Sequence, residues 1–425
     1  MREMKDSGIE WIGEIPKEWG VTRHKYVMHK DKAICDHYDG QDIISLTMNG
    51  VVVRDLDAGG KMPTSFDGYQ YVEPDDLLLC LFDIDVTPRC VGLVKNSGVT
   101  SPAYSRFKVH DGYFGAYYDY LLRFIDNEKV FVHLSKNLRS SLTESDFGSL
   151  PTIVPTLKEQ KRIVYFLEQQ CTEIDNILTK TRDSIEEYKK LKQAVITQAI
   201  TKGVRGDREM KDSGIEWIGK IPEDWGVIKM KNIGKCRNGL TYSPDNIVSK
   251  EEGTLVLRSS NIKAGKLSFV DNVYVNSEIK DDLMVKTGDI LICSRNGSRA
   301  LIGKNALIPE DLNASFGAFM MIFRCQAPKY VQMILNSAVF SYYLGTFLTS
   351  TINQLTADNF NNMKIVYCSD KFEQKEITDY LDKKCAEIDT LITKKEQIIV
   401  ELENYKKSVI YEYVTGKREV PETWV

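Results

Sequence analysis

The chain has 425 residues, of which 42% are hydrophobic and 27% charged, with a formal net charge of −4. That composition supplies more than one packed core and excludes a disordered, collagen-like or disulfide-framework protein. Its acidic balance does not by itself nominate nucleic acid as a partner. No apolar run reaches the length of a membrane span, so no membrane is expected among the partners. The start, Met1-Arg2-Glu3-Met4-Lys5-Asp6, carries no apolar signal-peptide core. The nine cysteines include no C-x-x-C pair. They read as buried thiols of a cytoplasmic protein, with no metal site.

In chain order, the first feature is a motif. Residues 2–21 read REMKDSGIEWIGEIPKEWGV, and residues 208–227 repeat them as REMKDSGIEWIGKIPEDWGV, with seventeen of twenty positions identical. A block over 22–150 follows, rich in Val, Ile, Tyr, Phe and glycine-containing turns. Within it Leu77-Leu78-Leu79-Cys80, after Asp75-Asp76, predicts a buried strand. Leu142-Thr143 leads to Phe147 just before a long helical pattern. Pro151 and Pro155 precede that helix and Gly203 ends it. Its seam is Leu167, Cys171, Ile174, Leu178, Thr181, Ile185, Tyr188, Lys192, Val195 and Ala199, spaced alternately by four and three.

After the second motif the plan recurs. Block 228–365 holds Ile290-Leu291-Ile292-Cys293 after Gly288-Asp289, and Leu355-Thr356 leading to Phe360. The second seam is Leu381, Cys385, Ile388, Ile392, Lys395, Ile399, Leu402, Lys406, Val409 and Tyr413, and Gly416 ends it. Val420-Pro421-Glu422-Thr423-Trp424 echoes Ile15-Pro16-Lys17-Glu18-Trp19. The period is too long for a solenoid. The expected fold is α/β (α+β): two globular domains in a pseudo-twofold arrangement, separated by two long antiparallel coiled-coil helices. The expected boundaries are 1–156 and 207–370 for the domains, 157–206 and 371–417 for the helices, and 418–425 for the tail.

The two blocks differ in charge. Block one has 14 Lys and Arg against 18 Asp and Glu, a balance of −4; block two has 16 against 11, a balance of +5. Block two carries the polar clusters Arg258-Ser259-Ser260-Asn261-Ile262-Lys263 and Ser294-Arg295-Asn296-Gly297-Ser298-Arg299. Arginine forks onto guanine O6 and N7, asparagine pairs with adenine, and serine and lysine suit phosphates. The DNA-binding candidates are therefore Arg258, Ser259, Asn261, Lys263, Arg295, Asn296, Ser298, Arg299 and Lys304. In block one they are Thr47, Asn49, Arg54, Thr87 and Arg89. The same loops can also be read as solvated turns.

Enzyme signatures fail on inspection. Gly297 to Gly303-Lys304-Asn305 has one residue too many for a phosphate loop and Asn in place of Ser/Thr. Asp245, Glu278 and Lys280 imitate a nuclease metal site, but block one has no counterpart. The five histidines, His24, His29, His37, His110 and His133, are expected at the surface or in turns. No catalytic residue and no metal ligand is assigned. The alternatives left open are a standalone nuclease, a methylase-associated recognition protein and a coiled-coil scaffold.

The run Ser7-Gly8-Ile9-Glu10-Trp11-Ile12-Gly13, repeated from Ser213, resembles the opening of target-recognition units in DNA-specificity subunits of type I restriction–modification systems. So do Pro155-Thr156-Leu157-Lys158-Glu159-Gln160 and the run from Gly288 to Ser298 followed by Ile302-Gly303-Lys304. Two departures stand out: unit two has Cys368-Ser369-Asp370 where a proline is expected, and unit one has Leu81-Phe82-Asp83-Ile84-Asp85-Val86-Thr87-Pro88-Arg89 in place of the Arg-Asn-Gly-Ser string. The resemblance implies a non-catalytic chain whose two heads each read half of a split site in double-stranded DNA. It implies two methyltransferase subunits docked on the helices and restriction/translocase subunits joining for cleavage. S-adenosylmethionine is then expected on the methyltransferase partner, with no cofactor on this chain.

Overall fold

The computed structural model describes residues 2–57, 63–87, 89–135, 140–348 and 353–421. Pro88 and the tail residues Glu422, Thr423 and Trp424 lie outside them. The chain divides into two compact units: Met1–Thr181 with Gln397–Val425, and Arg182–Glu396. The two long helices are Leu157–Lys202 and Lys371–Val414. Each contributes one part to each unit.

In both units the repeated motif opens as a hairpin, Met4–Asp6 with Glu14–Pro16 and Met210–Asp212 with Lys220–Pro222. A mixed α+β body follows. Unit one has a four-stranded antiparallel sheet in the order Val91–Leu93, Leu77–Leu79, Ser105–Val109, Met28–Lys30. Unit two repeats the order with Asn305–Leu307, Ile290–Cys293, Met320–Cys325 and Gly234–Asn238. Each unit has a second sheet with one parallel pair, Ile43–Thr47 beside Gly98–Thr100 and Thr254–Leu257 beside Ala314–Phe316. Two blocks with little common sequence thus share the order of the first sheet; the second sheets differ, since Tyr69–Val72 pairs with Gly98–Thr100 in unit one whereas Tyr274–Val275 pairs with Thr254–Leu257 in unit two.

The shared plan has shared fastenings. Before strand Leu77–Leu79, the Asp76 carboxylate accepts from Glu73 N at 2.7 Å and from Arg106 Nε at 2.6 Å. Before strand Ile290–Cys293, Asp289 accepts from Lys286 N at 2.8 Å and from Arg324 through both oxygens at 2.6 Å. The residue before each aspartate has a left-handed φ, 72° at Asp75 and 85° at Gly288. That turn aims the carboxylate at the arginine of the neighbouring strand. Thr143 and Thr356 cap the short helices that carry the buried Phe147 and Phe360.

The motif tryptophans are pinned to the long helices. Trp19, 1% exposed, donates its Nε1–H to Glu159 at 2.9 Å, and Arg2 Nη1 reaches the same carboxylate at 2.5 Å. In unit two Trp225 donates to Glu373 at 3.3 Å and Arg208 also binds it. The neighbouring glutamines brace the helix starts: Gln160 Nε2 donates to Pro155 O at 2.9 Å and Gln374 Nε2 to Cys368 O at 2.7 Å. Unit two lacks the proline but keeps a cap: Asp370 accepts from Phe372 N at 2.9 Å where its counterpart Thr156 accepts from Glu159 N at 3.3 Å.

Every seam position of both helices is buried or half-buried. In unit one Phe166 packs on Tyr413 with ring centres 4.4 Å apart, and Lys406 reaches Asp175 at 2.6 Å. In unit two Lys192 reaches Asp389 at 2.7 Å, and Lys395 lies 5.7 Å from the Tyr188 ring centre. Within each unit one residue number rises as the other falls, so the helix segments pair antiparallel. The seam lysines lie half-buried against these partners.

One histidine departs from expectation. His24 is 1% exposed, not a surface residue. Its Nδ1 donates to Leu150 O at 3.0 Å, and its ring lies against Phe147. The repeat explains this, because the matching position in unit two is the buried Met230. The site is apolar, and burial lowers the His24 pKa to about 4.

Two outcomes are expected. Asp76→Ala leaves the Arg106 guanidinium buried with only Asp31 at 3.3 Å and Glu73 at 3.5 Å. Breaking such a pair costs about 3 kcal/mol or more, to be read as a lower denaturant midpoint. As pH falls from about 6.5 towards 4, the unfolded chain takes up a proton that folded His24 refuses. Stability present above that window is lost through it, by about 3 kcal/mol. His24→Met should remove that slope in denaturation series at stepped pH; an unchanged slope would exclude His24 as its source.

Candidate nucleic-acid interface

In unit two the strands Thr254–Leu257 and Ile290–Cys293 end at neighbouring places, and the loops that leave them meet. Arg258, Ser259, Arg295 and Asn296 line one open cleft of about 520 Å³. Asn296 Nδ2 donates to Ser259 Oγ at 3.2 Å, and Lys304 Nζ donates to Ser259 O at 2.8 Å. These bonds tie the two loops together. Arg295 is exposed and its guanidinium lies 5.3 Å from the ring centre of Phe319, itself 58% exposed. Arg258 Nη2 meets Asp271 at 2.9 Å. The cleft therefore presents two guanidinium groups, hydroxyls, an amide and an aromatic face, the set that suits phosphates and base edges.

The other candidates in this unit take different places. Ser298 and Arg299 are exposed on the continuing loop, with Ser298 N donating to Asn296 Oδ1 at 2.9 Å and Arg299 Nη2 to Gly345 O at 3.4 Å. Lys263 is exposed on a small hairpin with Lys266–Leu267. Asn261 is a correction. It is 0% exposed and cannot offer its amide to a base. Its Oδ1 accepts from Arg258 N at 2.9 Å, and its Nδ2 donates to Ser268 O at 2.9 Å, Asp271 O at 3.2 Å and Asn272 Oδ1 at 3.1 Å. It is the hub of the loop. Lys304 similarly serves the loop through its bond to Ser259.

In unit one the equivalent strand ends are Thr47 and Leu79. Thr47 Oγ1 donates to Gly50 O at 2.9 Å and accepts from Asn49 N at 3.2 Å, closing a tight hairpin. Gly50 has φ 105°, and a Cβ there would lie 3.6 Å from the Arg89 guanidinium. Arg89 Nη1 donates to Met48 O at 3.3 Å and its Nε to Val91 O at 2.8 Å. Burial, with the Arg123 charge next, lowers the Arg89 pKa. Thr47, Asn49 and Arg89 are thus brought together. Thr87 instead donates to Asp83 O at 2.8 Å within its own loop, and Arg54 N donates to Ile43 O at 2.7 Å beyond the hairpin.

Two cleft residues escape sequence reading. Phe319 follows Gly317-Ala318 in an apolar stretch, and Asp271 carries the wrong charge for a search of basic clusters. The one sequence signal for Phe319 is its place at the turn entering a strand, Met320–Cys325.

Residues 222–404 match the family described as the type I restriction modification DNA specificity domain. The specificity subunit of the type I restriction enzyme EcoKI from Escherichia coli K12 is 27% identical over 217 residues, 48% of this chain and 45% of its own length. The MjaVIII specificity subunit of Methanocaldococcus jannaschii is 28% identical over 285 residues, 64% of this chain and 63% of its own. These alignments therefore span about half to two thirds of the relatives' lengths. A chain solved in work on complex assembly and conformational transition of the type I R-M system shares the fold. Its TM-score is 0.72 at 14% identity, with 95% of this chain and 99% of that one covered. The chain is thus similar in sequence to specificity subunits of type I restriction enzymes, with the family match lying in residues 222–404.

Asn261→Ala should unpair Arg258 N and the Ser268 and Asp271 carbonyls. Unsatisfied buried groups cost about 1–3 kcal/mol each. The expected outcome is a loss of about 3 kcal/mol with faster amide exchange confined to residues 258–272; wild-type exchange there would show that the loop is held by other contacts.

Proposed function

We propose that this chain is the sequence-reading, non-catalytic subunit of a type I restriction–modification complex. Each unit reads one half of a bipartite site in double-stranded DNA. The long helices set the gap between the halves and dock two methyltransferase subunits, and restriction/translocase subunits join that assembly. S-adenosylmethionine belongs to the methyltransferase partner, and the complex works in the cytoplasm. The observation that carries this reading is the unit-two cleft, where two loops of a domain with a +5 balance place Arg258 and Arg295 side by side. Equivalent loops of unit one gather Thr47, Asn49 and Arg89 with different chemistry, as a reader of a different half-site requires.

The test uses the chain assembled with its methyltransferase subunits. Arg295→Ala should weaken DNA binding by about 1–3 kcal/mol. If Arg295 touches a base, one position of one half-site relaxes; if it touches a phosphate, all sequences weaken alike and the salt dependence flattens by about one counterion. Wild-type affinity would remove the cleft from the interface.

A further inference from the structure

The unit-two cleft holds one carboxylate among its cations. Asp271 has a 64% exposed side chain and sits 2.9 Å from Arg258 Nη2. A carboxylate facing DNA is repelled by the phosphates, so in a phosphate-binding patch it lowers affinity. Nor is stability a sufficient reason for it, since exposed ion pairs contribute about 0–1 kcal/mol.

The pair is nevertheless built. The fully buried Asn261 accepts from Arg258 N at 2.9 Å and donates to Asp271 O at 3.2 Å. One side chain thereby fixes the backbone of both partners. Arg258 Nε is shielded and has no partner among the described residues, so the guanidinium acts through its outer end. Each terminal nitrogen carries two hydrogens. Asp271 lies against Nη2 as an ion pair, and the outer edge of a guanidinium carries two parallel donors. That fork matches guanine O6 and N7 in the major groove. The corresponding strand end of unit one closes as the Thr47–Gly50 hairpin.

We propose that Asp271 is a positioning residue that orients Arg258 onto a guanine, so that the half-site read by unit two contains one G·C pair at a fixed position. This rests on the DNA-reading function proposed above. The carboxylate spends general affinity on angular restraint, and the return is discrimination at that position.

The experiment maps methylated sites and measures binding for the complex of this chain with its methyltransferase subunits. Wild type, Asp271→Asn and Arg258→Lys are compared, and exchange of residues 228–365 identifies which half-site belongs to unit two. The expected wild-type half-site has an obligatory G·C pair. Asp271→Asn should retain the fold and bind at least as tightly at low salt, yet lose about tenfold discrimination at that pair alone. Arg258→Lys, which keeps the charge but not the fork, should lose discrimination at the same pair. A unit-two half-site with no required G·C pair overturns the proposal, as does undiminished discrimination in both folded variants. Absence of any sequence-selective binding by the wild-type complex would instead overturn the DNA-reading function itself.

Discussion

A glutamate in the first turn of each long helix, fully buried in unit two and half-buried in unit one, is the contact on which the rest depends. Glu373 is 0% exposed, and Glu159 occupies the same position in unit one. A carboxylate withdrawn from water costs several kcal/mol unless charges and hydrogen bonds replace the lost solvation. The replacements are the indole N–H of Trp225 or Trp19 and the guanidinium of Arg208 or Arg2, all supplied by the repeated motif. The motif and the helix start lie on opposite sides of a whole block in sequence. Satisfying the glutamate therefore draws the two ends of each block together. The preceding strands make the same closure: Gly20–Arg23 pairs with Pro151–Val154, and Gly226–Lys229 with Lys364–Tyr367.

The same tryptophans receive the far ends of the long helices. Gly416, at φ 71°, leaves no room for a Cβ, which would lie 2.5 Å from Pro16 and 2.8 Å from Trp19. Gly203, at φ 77°, is less tightly enclosed: a Cβ there would lie 2.9 Å from the movable Arg208 guanidinium and 3.4 Å from Trp225. Each is the left-handed residue that ends a helix, and Gly416 is also a packing requirement. Unit one consequently takes Val409, Ile410, Tyr413 and Val414 into its core, and Tyr117 caps the helix end by donating to Val414 O at 2.7 Å. Unit two takes Ile196, Ala199 and Ile200. Between these ends the seam is not uniformly apolar. Lys406–Asp175 and Lys192–Asp389 recur at matching repeat positions. Such half-exposed pairs add little stability, but a lysine in an apolar seam disfavours shifted pairings that would leave it without a carboxylate.

Much of this was legible because duplication supplies an internal comparison. The seam periodicity predicted both helices, and the acidic turn before each apolar run predicted the central strands. The glutamates were visible as residues but not as anchors, because their partners are distant in sequence. His24 was misread as exposed because histidine is usually polar and accessible; its counterpart Met230 was the available sign that the position is apolar. Asn261 was misread for a different reason. A polar cluster looks like a binding loop, yet an asparagine three residues after Arg258 is also placed to bond the Arg258 backbone N–H and organise a turn. Charge scanning found Arg258 and Arg295 and passed over Asp271 and Phe319, since an acid and an aromatic become parts of the site only when the fold sets them beside those arginines.

The distribution of repeated and unrepeated residues then follows from what each one holds. Positions that recur, such as Trp19 and Trp225, Arg2 and Arg208, Glu159 and Glu373, and Asp76 and Asp289, each belong to a bonded set that joins two elements and includes a buried group. Changing one leaves its partner without solvation. The loops beyond Thr47, Leu79, Leu257 and Cys293 start from strands already fixed by those fastenings. Leu81, Ile84 and Ile262 in these loops still belong to the cores, but the polar side chains of Asn49, Ser259, Arg295 and Asn296 meet solvent or one another, so those positions can change without disturbing the cores. The fold thus separates the residues that must be kept from those that are free to differ, and the candidate DNA-reading groups fall in the second set. Asn261 lies at the boundary: it is buried like the first set but serves a single loop, which makes the geometry of Arg258 specific to unit two.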